Sequence, residues 1–248
     1  FHYVMTDIAE PIIEGWRRCG AFQQFLDEGV LSFAIFDADQ PENLRQIEGL
    51  NTELSGPAVL IANYVVDTLR QDAFRMRGDV LQECRVAAGS TTAEAAGELD
   101  IVKQTQLQRD FVSARLPYYD DPALDAVLRD YQNNLDDTSF LIPIGFIRCL
   151  AAFKALGKAP LLALVGDKGR LKDADLMGCA DPDLVLHDGC FSFTANFNAL
   201  QRYVTHQGGQ ALFSNDLNRG FIVAALIDGG ASDEGRQFTN TKQAFAGN

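Results

Sequence analysis

At 248 residues and 27.2 kDa, 47% of them hydrophobic, the chain can bury one substantial core, and nothing in its composition requires two domains. A net charge of −13 repels phosphate backbones and excludes a basic nucleic-acid stripe, and no apolar run reaches the roughly 18 residues of a membrane span, the best candidate being broken by Pro143, Gly145 and Arg148. Five cysteines (Cys19, Cys84, Cys149, Cys179 and Cys190) without a C-x-x-C pair, and only His2, His187 and His206, disfavour a disulfide framework or a metal site. Buried thiols in a reducing, cytoplasmic compartment fit that usage better.

Strands and helices alternate from the first residue. Tyr3 to Thr6 is a short strand ending at Asp7. Pro11 suits the first turn of a helix whose Ile12, Trp16, Cys19, Phe22 and Leu26 recur at helical spacing until Gly29. Trp16, Phe22 and Phe25 read as helix packing. Val30 to Phe36 is a second strand, stopping at Asp37, and a helix is expected from Pro41 through Leu50. Pro57 to Ala62 is nearly all apolar, as a central parallel strand is, and runs into Asn63, Tyr64 and Asp67.

The middle is less regular. Ala73 to Arg77 and Val80 to Val86 form a hairpin about Gly78 and Asp79, and Ala87 to Leu99 lack periodicity, as a surface excursion would. Asp121 caps a helix begun by Pro122, which makes the Asp120–Asp121 pair a cap rather than a metal clasp. Another helix spans Ile144 to Leu156. Pro160 to Val165 is a buried strand ending at Gly166 and Asp167. A polar loop leads to His187 and Asp188, which read as a turn, with Cys190 nearby. Thr194 is the expected cap of a helix through Tyr203, ended by Gly208 and Gly209. Ala211 to Ser214 and Phe221 to Ile227 close the chain as a strand pair around Asn215 to Gly220.

Three apolar strands thus end in polar residues, and a parallel sheet sets such ends on one edge, where open α/β sheets bind ligands. A carboxylate there suits a ribose diol or an adenine amino group, although acids after strands also close turns and cap helices. No Gly-x-Gly run occurs anywhere in the chain.

The layout resembles the class I S-adenosylmethionine (SAM)-dependent methyltransferases, whose strand order is three, two, one, four, five, seven, six, with the seventh antiparallel. The run Leu60-Ile-Ala-Asn63-Tyr64-Val-Val-Asp67-Thr-Leu69 is similar to the V-x-A-N-E-x-x-D-A-L-P segment of the MidA-like methyltransferases, the family of a mitochondrial complex I assembly factor. Leu164-Val-Gly-Asp167-Lys-Gly169 resembles their I-D-Y-G turn, and Ala195 to Leu200 their V-D-F-T-A-L helix start. Closer still are bacterial methyltransferase-like domains found beside tetratricopeptide repeats, with Y-V-x-T-D, F-A-x-F-D-A and I-A-N-Y-V-F-D-x-L runs like those here. Tyr64 stands where the family has glutamate and Arg70 where it has proline, so the family's guanidinium substrate does not follow from the resemblance alone.

The resemblance implies one Rossmann-like α/β domain over residues 1–248, with helices on both sheet faces and a hairpin-and-helix insertion at about 73–140. The first strand and glycine loop are expected to be missing, making this an inactive fragment of a SAM-dependent methyltransferase. Asp7, Ile8, Asp37, Ala38 and Asn63 are the implied cofactor contacts. Asn63, Tyr64 and Asp67 are the implied catalytic set, acting on an acceptor such as a protein side chain. A non-catalytic scaffold module, adjacent to tetratricopeptide repeats, and a nucleotide-binding oxidoreductase are the alternatives.

Overall fold

The computed structural model describes residues 1–47, 50, 54, 56–90, 105–157, 159–182, 184–187, 190–214 and 220–228. Its architecture is mixed α/β, with parallel strand pairing and packed helices. The organising strand is β8 (Leu161–Arg170). On one side it pairs in parallel with β3 (Ala58–Asn63), from Ala58 opposite Leu161 to Asn63 opposite Gly166. On the other it pairs with β13 (Phe221–Asp228), which runs antiparallel and carries β12 (Gln210–Phe213) on its far edge. This β3-β8-β13-β12 order, with the reversed strand second from the edge, matches the expected four-five-seven-six arrangement.

Strands β1 (Tyr3–Asp7) and β2 (Leu31–Ile35) pair in parallel as a separate two-stranded sheet. Between them the chain forms α1 (Glu10–Arg17), a 3-10 turn over Gly20–Phe22, and α2 (Gln23–Asp27), so the single helix expected after Pro11 is broken in two. Gly20 and the preceding Cys19, whose backbone is extended, interrupt the ladder. Trp16 and Phe22 pack on Phe33, with ring centroids 5.7 and 5.6 Å away, whereas Phe25 is exposed. The helix expected from Pro41 is a 3-10 segment, Pro41–Gln46, pinned by buried Leu44.

A second sheet, ordered β6-β5-β4-β7, contains β4 (Asp72–Arg77), β5 (Val80–Ser90), β6 (Thr105–Ser113) and β7 (Thr138–Ile142). The hairpin at Gly78 is present, with φ +53 there. Ala87 to Ser90, expected as loop, continue β5 because β6 supplies a partner for each of them; residues 91–99 lie outside the described residues. Strand β7 carries no period-two signal because all five of its residues are buried. Helix α3 (Pro122–Asn134) starts as expected, with the Asp121 carboxylate accepting from the Ala123 N–H at 2.8 Å. Helix α4 (Ile144–Lys154) follows β7 directly.

One apolar core joins both sheets and these helices, with Phe74, Tyr131, Phe146 and Phe197 fully buried within it. It covers one face of β3 and β8 only. On the opposite face Val59 and Ile61 are 59% and 57% exposed, against the fully buried strand expected from their apolar character.

After β8 come α5 (Asp173–Leu176), the hairpin β9 (Leu184–His187) and β10 (Cys190–Phe193), and β11 (Ala195–Asn196), in place of the expected polar loop. Asp188 lies outside the described residues. Helix α6 (Phe197–His206) is capped by Asn196 rather than Thr194: the Asn196 amide oxygen accepts from the Ala199 N–H at 3.0 Å. Pairing of β11 with Gly169 and Arg170 holds Asn196 in the core, where its amide also donates to Leu141 O at 2.7 Å. Asn196→Ala is therefore expected to lose a cap and strand a buried carbonyl, costing about 2–4 kcal/mol. Thr194→Ala should stay within about 0.5 kcal/mol. Urea denaturation of the two variants checks this; equal losses would return the cap to Thr194.

Candidate functional site

The polar residues that end β1, β2 and β3 fall into two groups. Asp7 and Asp37 follow adjacent parallel strands, and the Phe36 N–H donates to Asp7 O at 3.0 Å. Each carboxylate closes its own turn: Asp7 accepts from the Ala9 N–H at 2.8 Å, and Asp37 accepts from the Asp39 N–H at 2.9 Å and the Gln40 amide at 2.8 Å. Ile8 is exposed and Ala38 is partly buried against the core.

The second group surrounds the end of β3. Asn63 sits opposite Gly166, and a side chain at Gly166 would come within 2.9 Å of the Asn63 amide oxygen and 3.1 Å of the Phe221 ring. Glycine is what lets both approach the strand. Tyr64 adopts φ +54, a left-handed conformation that costs a bulky residue of order 1 kcal/mol or more. Its N–H donates to Gly166 O at 2.8 Å, and its half-exposed ring tilts against Phe221 with centroids 5.3 Å apart. Asp67 is buried and its carbonyl accepts from the Phe193 N–H at 2.9 Å.

Two residues outside the expected set organise this second group. Asp39 accepts from the Arg70 N–H at 3.0 and 3.2 Å, tying the end of β2 to the loop after β3. The Gly145 N–H, at the start of α4, donates to Arg70 O at 2.9 Å, and a side chain there would collide with the Asp39 carboxylate and the Arg70 backbone. Asp167, fully buried, accepts from the Asp67 N–H at 3.1 Å and the Lys168 N–H at 2.8 Å, and also from the Val66 backbone. Sequence reading placed Asp167 at a strand end but could not see that β8 continues past it. The acid after β2 that reaches the β3 loop is Asp39, two residues beyond the expected Asp37.

Burial pushes the Asp167 carboxyl up to about 6, with the Asp67 charge adding to the rise and the backbone donors opposing it. The folded chain binds this proton more tightly than the unfolded chain does. Its contribution to stability is therefore full below about pH 4 and is lost as pH rises through 6, a change of about 3 kcal/mol. Asp167→Asn should remove that part of the pH dependence. Urea midpoints for both proteins from pH 4 to 8 test it, and a difference that stays constant over the range would overturn the assignment.

Burial also pushes the Cys149 thiol up to about 12, which leaves it unreactive at neutral pH. Asp121 acts as a cap and accepts from the Tyr203 hydroxyl at 3.0 Å. Among the described residues, no three His, Cys, Asp or Glu side chains gather in a metal-holding group, and no helix is long and apolar enough to cross a membrane.

No protein-family model matches the chain, and no curated protein does. A solved crystal structure from Burkholderia thailandensis, described as a "likely methyl transferase" bound to S-adenosyl-homocysteine, is similar in fold, with a TM-score of 0.52 at 10% sequence identity. The similarity covers 91% of this chain and 63% of that one, so the chain spans less than two thirds of that protein's length.

Proposed function

We propose that the carboxyl edge of β1, β2 and β3 is a SAM-dependent methyl-transfer site, acting on an acceptor such as a protein amine or guanidine. The observation that carries this reading is the strand order: β13 reversed between β8 and β12, with β1 and β2 parallel. That reversal also favours this reading over the nucleotide-binding oxidoreductase. The S-adenosyl-homocysteine in the similar structure supports SAM as the small molecule taken here.

The donor set fits the nucleoside half of such a cofactor. Asp7 and Asp37 place carboxylates at neighbouring strand ends for ribose and adenine, with apolar Ile8 and Ala38 beside them and Asn63 across the edge. For the methionine half, the E/D-x-G-x-G loop of the resembling family has no counterpart in these 248 residues. When bound, SAM supplies a methyl group already activated as a sulfonium, so the chain's task is alignment and exclusion of water rather than strong acid–base chemistry. The Asn63 amide and the Tyr64 ring orient the acceptor, and the Asp67 carboxylate favours a protonatable nitrogen beside them.

A non-catalytic module of the same fold, lying beside tetratricopeptide repeats in a longer protein, is the second reading. It is favoured by the local hydrogen bonds that occupy Asp7 and Asp37.

Calorimetry of SAM with the full-length protein separates the two readings. Asp7→Ala should weaken binding by about 1.5–3 kcal/mol if its carboxylate makes charged hydrogen bonds to the ribose, and Asp37→Asn by less. Asn63→Ala should reduce labelled methyl incorporation into a lysate of the source organism more than it reduces affinity. Unchanged affinity for a folded Asp7→Ala would remove the cofactor assignment. Measured SAM binding with no incorporation by wild type would favour the non-catalytic module.

A further inference from the structure

We propose that Asp167 is a positioning residue, whose buried carboxylate sets the conformation of the 64–70 loop and thereby the presentation of Tyr64 and Asp67. The inference rests on the reading of that loop as the acceptor side of the site.

The loop leaves β3 in a left-handed turn at Tyr64 and returns to the second sheet at β4. Its backbone groups from 65 to 70 belong to no strand or long helix, yet Val66, Asp67 and Leu69 are buried, so their peptide groups need partners inside the protein. Most of those partners are local or sit at the loop's ends. Gly166 O accepts from Tyr64, the Gln71 amide donates to Val66 O at 2.8 Å and Leu69 O at 3.0 Å, and Asp39 and Gly145 hold Arg70. In the middle, the donors of Val66 and Asp67 turn to a single side chain from a strand 100 residues away.

One Asp167 oxygen takes the Asp67 N–H while the other takes the N–H of Lys168, the next residue of its own strand. The carboxylate is thus fixed from both sides and cannot swing away with the loop. An ionised carboxylate is an acceptor on both oxygens, which three converging N–H groups require; asparagine offers an oxygen on one side and opposes the donors on the other. The charged group facing it is the Asp67 carboxylate; Lys168 contributes its backbone N–H.

This arrangement couples the loop to Tyr64. With Val66 and Asp67 anchored, the chain must double back within two residues of Asn63, and the left-handed φ of Tyr64 is what that path demands. If the anchor is released, Tyr64 relaxes to a right-handed or extended conformation and its ring leaves Phe221. The same release frees the Asp67 carbonyl from Phe193.

The test uses the full-length protein without SAM. In wild type, the Val66 and Asp67 amides should exchange with deuterium at least a hundredfold more slowly than an unstructured peptide, although they lie in a loop. Exchange at the unstructured rate overturns the proposal without any variant. In Asp167→Asn, these amides should exchange at least tenfold faster than in wild type while those of β8 and β13 keep their protection. The Tyr64 ring protons should lose the shift caused by the Phe221 ring, while the Phe33 signals beside Trp16 stay in place. A variant with a lowered melting temperature but an unmoved Tyr64 signal would show a merely structural role and overturn the assignment. Failure of the protein to bind SAM would sink the methyl-transfer reading and leave these readouts, which need no ligand, to decide this one.

Discussion

β8 is longer than the strand beside it, and the site follows from that difference. It spans Leu161–Arg170, whereas β3 accompanies it only to Gly166 and β11 joins only at Gly169. Asp167 and Lys168 are left between the two partners on that side, while β13 continues to pair with both on the other. A buried strand cannot leave a gap in its ladder unfilled without stranding polar groups. The loop after β3 fills this one, bringing the Tyr64 N–H to Gly166 and the Asp67 N–H to the Asp167 side chain. The side chains that sequence reading singled out are thus consequences of where two neighbouring strands stop.

The same gap brings in a residue that is distant in sequence. Phe221 opens β13 opposite Lys168, so its ring reaches over Gly166 to meet Tyr64. Nothing local to Phe221 marks it, because its role depends on an antiparallel register set by the far end of β8. Asp39 is a similar case. Its partner is an N–H in another loop, and the sequence around Asp37 and Asp39 offers two acids with equal claims. Register and loop crossings are long-range facts, and hydrophobic periodicity carries only short-range ones.

That distinction separates what was legible in the sequence from what was not. Strands β1, β2, β3, β8, β12 and β13 and helices α3, α4 and α6 announce themselves by apolar runs, Pro and Gly punctuation and helical spacing; the four-five-seven-six order was implied only by the family resemblance. The second sheet was half visible: the Gly78 hairpin shows its turn, but β6 is mixed in character and β7 is buried on every residue, so neither alternates. At the start of α6, Thr194 and Asn196 are both good caps, and only the pairing of β11 selects Asn196. The expected continuous helix over Pro11 to Leu26 failed because helical spacing survives a short break, while the backbone at Cys19 does not stay helical.

At Tyr64 the backbone position and the side-chain chemistry are set separately. The resembling family has glutamate there, on a similar strand-end segment. A carboxylate at that point would reach out as a charged acceptor, whereas tyrosine presents a flat ring, and Phe221 gives that ring something to lean on. The backbone conformation is unfavourable for either side chain, so the strain belongs to the loop and its anchors rather than to the residue identity. A scaffold that holds position 64 left-handed by buried hydrogen bonds can exchange the group presented there without refolding the loop. What such an exchange alters is the group displayed at the tip of the loop, while the backbone path set by Gly166, Asp167 and Asp39 is kept.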